Sequence, residues 1–270
     1  MKHRISSARI RVAATMALGL LLLLPQSALA AFHLMEIEQV VGGVGGDTSA
    51  QAIQLKMRTA GQNLLNGAAR MRVFDAAGLN PIILHTFASN PASSASCREI
   101  LLVTPGMAAR TTPAVTGDYT MAAIPASYLA AGSLTFETTG GAVYWRVSWG
   151  GATYSGTTTV LTGTGGVAND ADGNTAPPFP GALPSTTEQA LKFAPACNLT
   201  TGLSTNSAAD YAVTAGQAVL VNNSLGSFAV TAPVVSPVPG LPGASRIVLP
   251  GILGLAVVAF AFLRRRRASA

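Results

Sequence analysis

The residues from Gln51 to Arg58 alternate strictly, with Ile53, Leu55 and Met57 on one side and Gln54, Lys56 and Arg58 on the other. A period of two marks a strand with one buried face. Val143 to Trp149 repeats the pattern, directing Val143, Trp145, Val147 and Trp149 inward. Further strands are predicted at Leu34 to Val41, Arg70 to Phe74, Ile82 to Phe87, Glu99 to Val103, Leu134 to Glu137, Thr157 to Leu161 and Gln217 to Val221. Turns rich in glycine separate them: Gly42-Gly43, Gly45-Gly46-Asp47, Ala77-Gly78, Gly140-Gly141 and Gly150-Gly151. A short helix is predicted near Thr187 to Phe193. Many short strands between such turns predict a mainly β chain, an antiparallel sandwich or barrel, over residues 31–232.

The hydrophobic pattern changes at both ends. Lys2 to Arg11 is cationic, Val12 to Leu24 is an apolar core with the leucines Leu20 to Leu24, Pro25 ends that run, and Ala28 and Ala30 are small residues at the −3 and −1 positions. This is the layout of a secretory signal peptide, residues 1–30, with cleavage before Ala31. At the other end Ile247 to Leu263 is an uncharged stretch of 17 residues, the lower limit for a transmembrane helix. Arg264, Arg265, Arg266 and Arg267 follow at once, so positive charge places the C-terminus inside, with 264–270 as an Arg-rich cytoplasmic tail. Residues 233–246 form a Pro/Gly-rich linker that excludes helix and central strand. A Pro/Gly motif, one apolar helix and an arginine cluster resemble the bacterial C-terminal sorting signals of the PEP-CTERM group, recognised by exosortases. Pro237-Val238-Pro239 stands where that group has Pro-Glu-Pro. The resemblance implies a sorting protease or transpeptidase as a partner; the alternative is a permanent single-pass anchor. The expected location is export, held at the inner membrane and transferred to the surface or secreted if the signal is processed.

Composition and charge narrow the function. The chain of 270 residues is 49% hydrophobic and only 10% charged, which argues against a disordered polyelectrolyte. Its net charge of +6 resides in the two ends. Between Ala31 and Ser245 there are 8 basic and 11 acidic residues, so the exported part lacks the positive surface of a nucleic-acid binder.

The segment from Leu34 to Asp75 opens with an acidic strand containing Glu36 and Glu38. It continues through Ala52 to Leu55 and Gly61 to Leu64 to Arg72-Val-Phe-Asp75. Thr205 to Tyr211 adds an Asn- and Asp-containing segment, and the loop Asp170 to Asn174 and Ser185 to Leu191 precede it. These features resemble the bacterial lamin-tail-like domain, an immunoglobulin-like antiparallel β-sandwich of secreted and surface proteins, over about Phe32 to Ser227. Gln54 stands where that family usually has Glu. The resemblance implies a fold and no catalytic residues.

Candidate chemistry is sparse. Cys97 and Cys197 both lie in the exported part, and an even count in an oxidising compartment favours a disulfide over two free thiols or a metal pair. Asp170, Asp172 and Asn174 occupy alternate positions before a Gly turn, as in the first half of a calcium loop, but Gly181 stands at position 12. Calcium is therefore the one candidate cofactor, and an ordinary Asp/Asn/Gly turn is the alternative. His85 reads as a hydrogen-bonded strand residue, Ser148 lacks a nucleophile elbow, and Glu36 and Glu38 read as a solvated acidic face. The run Gly42 to Asp47 lacks the Lys-Ser/Thr ending of a phosphate loop. Asn198 and Asn222 begin glycosylation sequons. The expected protein is a non-enzymatic structural or adhesive envelope module that contacts polysaccharide or protein. The alternatives are a calcium-dependent binding module and a secreted hydrolase with an unrecognised site.

Overall fold

The computed structural model describes residues 32–157, 177–197 and 207–233. All elements below lie in the unit Met1–Ala232. In chain order the strands are β1 (Met35–Val41), β2 (Ala52–Met57), β3 (Ala69–Phe74), β4 (Ile82–Thr86), β5 (Glu99–Val103), β6 (Thr111–Thr112), β7 (Tyr119–Thr120), β8 (Gly132–Thr138), β9 (Val143–Trp149), β10 (Leu191–Phe193), β11 (Tyr211–Val213), β12 (Val219–Val221) and β13 (Ser227–Val230). The short helix α1 (Ser207–Asp210) precedes β11. The strands form three sheets with the orders β11-β10-β1-β2-β5-β7, β4-β3-β8-β9 and β12-β13-β6. Pairing is antiparallel except between β5 and β7.

The six-stranded sheet is the middle layer. Ile37, Ile53, Leu55, Ile100 and Leu102 on its inner face pack with Met71, Val73, Leu134, Phe136, Trp145, Val147 and Trp149 of the four-stranded sheet. These two sheets are the sandwich. Alternate positions of the same strands, Val41, Ala52, Leu101 and Val103, form a second core with Leu220, Phe228 and Val230 of the three-stranded sheet. The middle sheet is therefore covered on both faces. Gln54, expected on a solvent face, is only 2% exposed. In β3 Ala69, Met71 and Val73 are buried, while Arg70, Arg72 and Phe74 are partly exposed.

Two irregularities place polar groups. The register of β1 on β2 shifts between Ile37 and Gln39, and Gln39 then stands opposite Gln54. Glu38 and Gln39 thus share the outer face, as the extra residue of a bulge requires. The register of β8 on β9 shifts at Phe136/Glu137, so that Glu137 faces Val143. Val143 is accordingly half-buried, while Trp145, Val147 and Trp149 are inward as the alternation predicts. The tryptophans are fixed at both polar ends: Trp145 Nε1 donates to Tyr211 Oη at 2.7 Å, Tyr211 Oη to Ile37 O at 2.5 Å, and Trp149 Nε1 to Tyr128 O at 2.9 Å.

The helix predicted near Thr187 to Phe193 is instead a turn followed by β10. Leu191 and Lys192 pair with Val40 and Gln39 of β1, and Leu191 and Phe193 alternate into the core. The edge of a long sheet captures this segment, which is too short to nucleate a helix. Cys97 and Cys197 form a disulfide with Cα atoms 5.7 Å apart and a sequence separation of 100. Among the described residues no helix is long and apolar enough to cross a membrane. The predicted signal peptide with Ala28, Ala30 and Ala31, the motif Pro237 and Pro239, the helix 247–263, Arg264 to Arg267, and Asp170, Asp172 and Asn174 lie outside the described residues. So do 158–161 of the strand predicted from Thr157, which itself lies in no strand.

Candidate functional site

Two polar clusters lie on sheet faces. The first is built by β1, β2, β5 and β10 on the outer face of the middle sheet. Lys56 Nζ reaches Glu38 Oε1 at 2.5 Å and Glu99 Oε1 at 3.4 Å, and Lys192 Nζ lies 3.8 Å from Glu38. Gln54 Nε2 donates to Glu38 Oε2 at 2.6 Å. Glu36 is 1% exposed, and its Oε2 has no hydrogen-bond partner. Burial, then the neighbouring Glu38 carboxylate, raises the Glu36 carboxyl to about 7 against the pull of Lys56 and Arg58. The acidic face expected to be solvated is therefore closed from water. Glycosidase carboxylates flank an open cleft, and these do not.

The second cluster occupies the outer face of the four-stranded sheet. Cross-strand register sets Arg70 beside Glu137, Arg72 beside Thr135, and Phe74 beside Ser133. On the far side Thr135 faces Arg146 and Ser133 faces Ser148. Arg72, Thr135 and Arg146 thus form one row across three strands, because side chains directly opposite share a face. The Glu137 side chain is 0% exposed and takes Arg70 Nε at 2.5 Å, Arg72 Nη2 at 2.9 Å and the Thr135 hydroxyl at 3.1 Å. Arg72 also stacks on Phe74, with its guanidinium carbon 4.9 Å from the ring centroid. Next to this row Phe74, Ser133, Thr135, Val143, Arg146 and Tyr154 line a pocket of about 70 Å³. Tyr154 is brought over the sheet by the turn after β9, where Gly150 has φ 103° and Ser155 N donates to Ala76 O at 2.8 Å. A Cβ at Gly150 would lie 2.3 Å from that of Ala131, so the turn admits only glycine.

Chemically this face offers guanidinium N–H donors and hydroxyls around one carboxylate. Each arginine has five N–H donors, and Glu137 occupies few of those on Arg70 and Arg72. The sequence reading did not single out Arg70, Arg72 or Arg146. The available signal was their outward position on alternating strands, three of the eight basic residues of the exported part.

Ser148 lies on this face opposite Ser133, and the other sequence candidates are placed apart from it. His85 Nδ1 lies 2.9 Å from Thr120 O, its ring meets Phe87 edge to face and Tyr119 at a tilt, and burial lowers its pKa. It is a hydrogen-bonded strand histidine, as read. His33 lies against Tyr144. The backbone N of Ser148 donates to Ser207 Oγ at 3.2 Å. In the Gly42 to Asp47 run, Gly42, Gly45 and Gly46 donate their N–H groups to the carbonyls of Pro184, Thr187 and Ser185. Those amides are turned to the chain rather than to a phosphate. Asn222 Nδ2 donates to Thr116 O at 3.0 Å, and its Oδ1 accepts from Ser224 N and Gly226 N. The side chain of that sequon is thus built into the turn, while Asn198 lies outside the described residues. Comparison with protein-family models, curated proteins and solved structures returns no match.

Proposed function

We propose that this chain is an exported bacterial envelope protein whose β-sandwich serves a structural or adhesive role without catalysis. In this reading 1–30 is removed on export, 247–263 spans the inner membrane with the C-terminus inside, and the Pro/Gly-rich linker carries a sorting signal. The sandwich is an immunoglobulin-like, lamin-tail-like module presented outside the membrane, and its partners are envelope polysaccharide or protein. The observation that carries the reading is the Cys97–Cys197 cross-link. Such bonds persist in oxidising compartments and are rare in the cytosol, and here the pair lies between an export pattern and a membrane pattern. The closed state of Glu36 and Glu38 supports a non-catalytic role for the acidic strand.

Fractionation of native cells with one tag in the sandwich and one after Arg267 tests this. The mature protein is expected to begin at Ala31, to carry no free thiol, and to occur in the membrane or, lacking the C-terminal tag, at the surface. Cytoplasmic protein that retains Met1 and two free thiols would overturn it.

A further inference from the structure

We propose that Ser94, in the loop between β4 and β5, is the acceptor for an O-linked sugar. This inference rests on the export proposed above, because the sugar donor it requires is presented outside the inner membrane. The loop reads Ala-Ser-Asn-Pro-Ala-Ser-Ser-Ala-Ser over residues 88–96. Serine-rich segments with proline have the composition of O-glycosylated chains. No charged residue stands between Asp75 and Arg98. Every residue of the loop is exposed except Pro91, which is buried, and Ser93, which is half-buried.

Exposure is combined with order. Gly61 N donates to Ser94 O at 2.8 Å, Asn63 Nδ2 to Pro91 O at 3.0 Å, Asn66 N to Asn90 Oδ1 at 2.8 Å, and Ser93 N to Asn223 Oδ1 at 2.7 Å. Neighbouring loops therefore hold the backbone in place, and the serine hydroxyls differ in what they meet. Ser93 Oγ accepts from Ala95 N at 3.4 Å, and Ser96 Oγ donates to Arg58 O at 3.4 Å. The hydroxyls of Ser89 and Ser94 make no hydrogen bond among the described residues. Ser89 is crowded by Tyr119, whose Oη donates to the Ser89 carbonyl at 2.8 Å. Ser94 is flanked by Ala92, Ser93, Ala95 and Ser96, so the chain on either side carries nothing larger than a serine.

The position in the fold suits display. Asn223 fastens the loop to the turn that precedes β13, and the chain leaves the sandwich after the far end of that strand. Ser94 thus lies at the end of the sandwich away from its exit point.

The step is a glycosyl transfer. The donor is a polyprenyl-diphosphate-linked sugar, and the partner is a membrane transferase of the host. A bond forms between Ser94 Oγ and the sugar C1 as the C1–O bond to the diphosphate breaks. The diphosphate leaves with the bonding electrons, and the hydroxyl proton passes to a base of the transferase. A phosphoryl group is disfavoured, since it would bring nearly two negative charges to a loop with no cation among its nine residues.

The test is peptide mass spectrometry on the full-length protein, purified from the envelope of native cells and reduced. Trypsin cuts after Arg72 and Arg98, so one peptide, residues 73–98, carries the whole loop. That peptide is expected to be heavier by one or more sugar residues, with electron-transfer fragmentation placing them on Ser94. Ser94→Ala is expected to abolish the added mass, and Ser89→Ala to leave it unchanged. Both substitutions are at the surface, and thermal melting verifies that each variant is folded. Recovery of the peptide only at its unmodified mass overturns the proposal. So does a phosphate in place of the sugar, or a sugar that persists in Ser94→Ala. An unmodified peptide from protein that fractionates to the envelope removes the modification and keeps the envelope role. Cytoplasmic protein that retains Met1 removes that role and the modification with it.

Discussion

Glu36 shows how a single residue changes meaning with its layer. As an acidic residue alternating with Ile37 it reads as solvent-facing, yet it is buried beside Glu38, Lys56, Arg58 and Glu99. Its carboxyl is raised from 4.5 to about 7, so the folded chain holds a proton that the unfolded chain releases. Where the folded state binds more protons, stability falls as pH rises. The loss begins near the unfolded pKa and is complete just above the folded one, so the window runs from about 4.5 to about 7. A shift of that size corresponds to an upper bound on the order of 3 kcal/mol. His33 and His85, both lowered by burial, contribute with the opposite sign: their stability is lost as pH falls below the ordinary histidine value. The comparison of wild type with Glu36→Gln cancels them. We expect Glu36→Gln to match wild type at pH 4.5 and to exceed its denaturation midpoint at pH 8. Parallel pH profiles for the two proteins would refute the assignment.

At the scale of elements the alternation of β2 and β9 was legible because polar residues separate their apolar ones, and the predicted bounds at Glu99–Val103 and Val143–Trp149 match β5 and β9. Of the third layer, β12 was legible, within the strand predicted at Gln217 to Val221. β6 and β13 of that layer, and β7 and β11 of the middle sheet, have two to four residues each and carry no period long enough to read. Nor does alternation show that a polar face is buried, since Gln39 and Gln54 look solvent-facing until a strand covers them. That strand is β12. Gln39 Nε2 donates to Val219 O at 2.8 Å and to Gln54 Oε1 at 3.1 Å, and Gln54 Oε1 accepts from Val221 N at 2.6 Å. The two glutamines therefore join the small sheet to the middle one. Gln54→Leu keeps the approximate volume but leaves Val221 N–H and Glu38 each short of a partner. A buried group without its partner costs roughly 1–3 kcal/mol, more when charged. We expect about 2–4 kcal/mol of destabilisation and faster amide exchange in β12 and β13 than in β3, β8 and β9. Uniform exchange across all three sheets would show that the glutamines do not tether this layer. The arginine row escaped the sequence reading for a related reason: Arg72 and Arg146 are 74 positions apart, and only the register of β8 on both neighbours brings them into line.

At the scale of the whole molecule, one covalent bond connects the sandwich to its compartment. Cys97 lies before β5 and Cys197 after β10, and the bond closes a loop over a separation of 100 residues. Both ends meet β2, with Cys97 N donating to Met57 O at 2.8 Å and Cys197 Sγ lying 3.6 Å from the same carbonyl. The cross-link therefore holds the end of β10 against the end of β2, two strands of the middle sheet separated by β1. A loop of that length restricts the unfolded chain by about 4–5 kcal/mol in the chain-entropy treatment, with 2–4 kcal/mol typical of measured bonds. The cores of both layers are assembled from residues outside the bond, so the reduced sandwich is expected to fold with lower stability rather than to collapse. We expect Cys97→Ser/Cys197→Ser, or reduction of the wild type, to lower the melting temperature by about 5–15 °C, at 2–4 °C per kcal/mol for a domain of this size. Reoxidation should restore the wild-type value and leave the double variant unchanged. Protein made in a reducing cytosol should melt like the double variant, and protein recovered from the envelope like the oxidised form. Equal melting of oxidised and reduced protein would show that the middle sheet is fully determined without the bond, and the disulfide would then cease to tie this fold to an oxidising compartment.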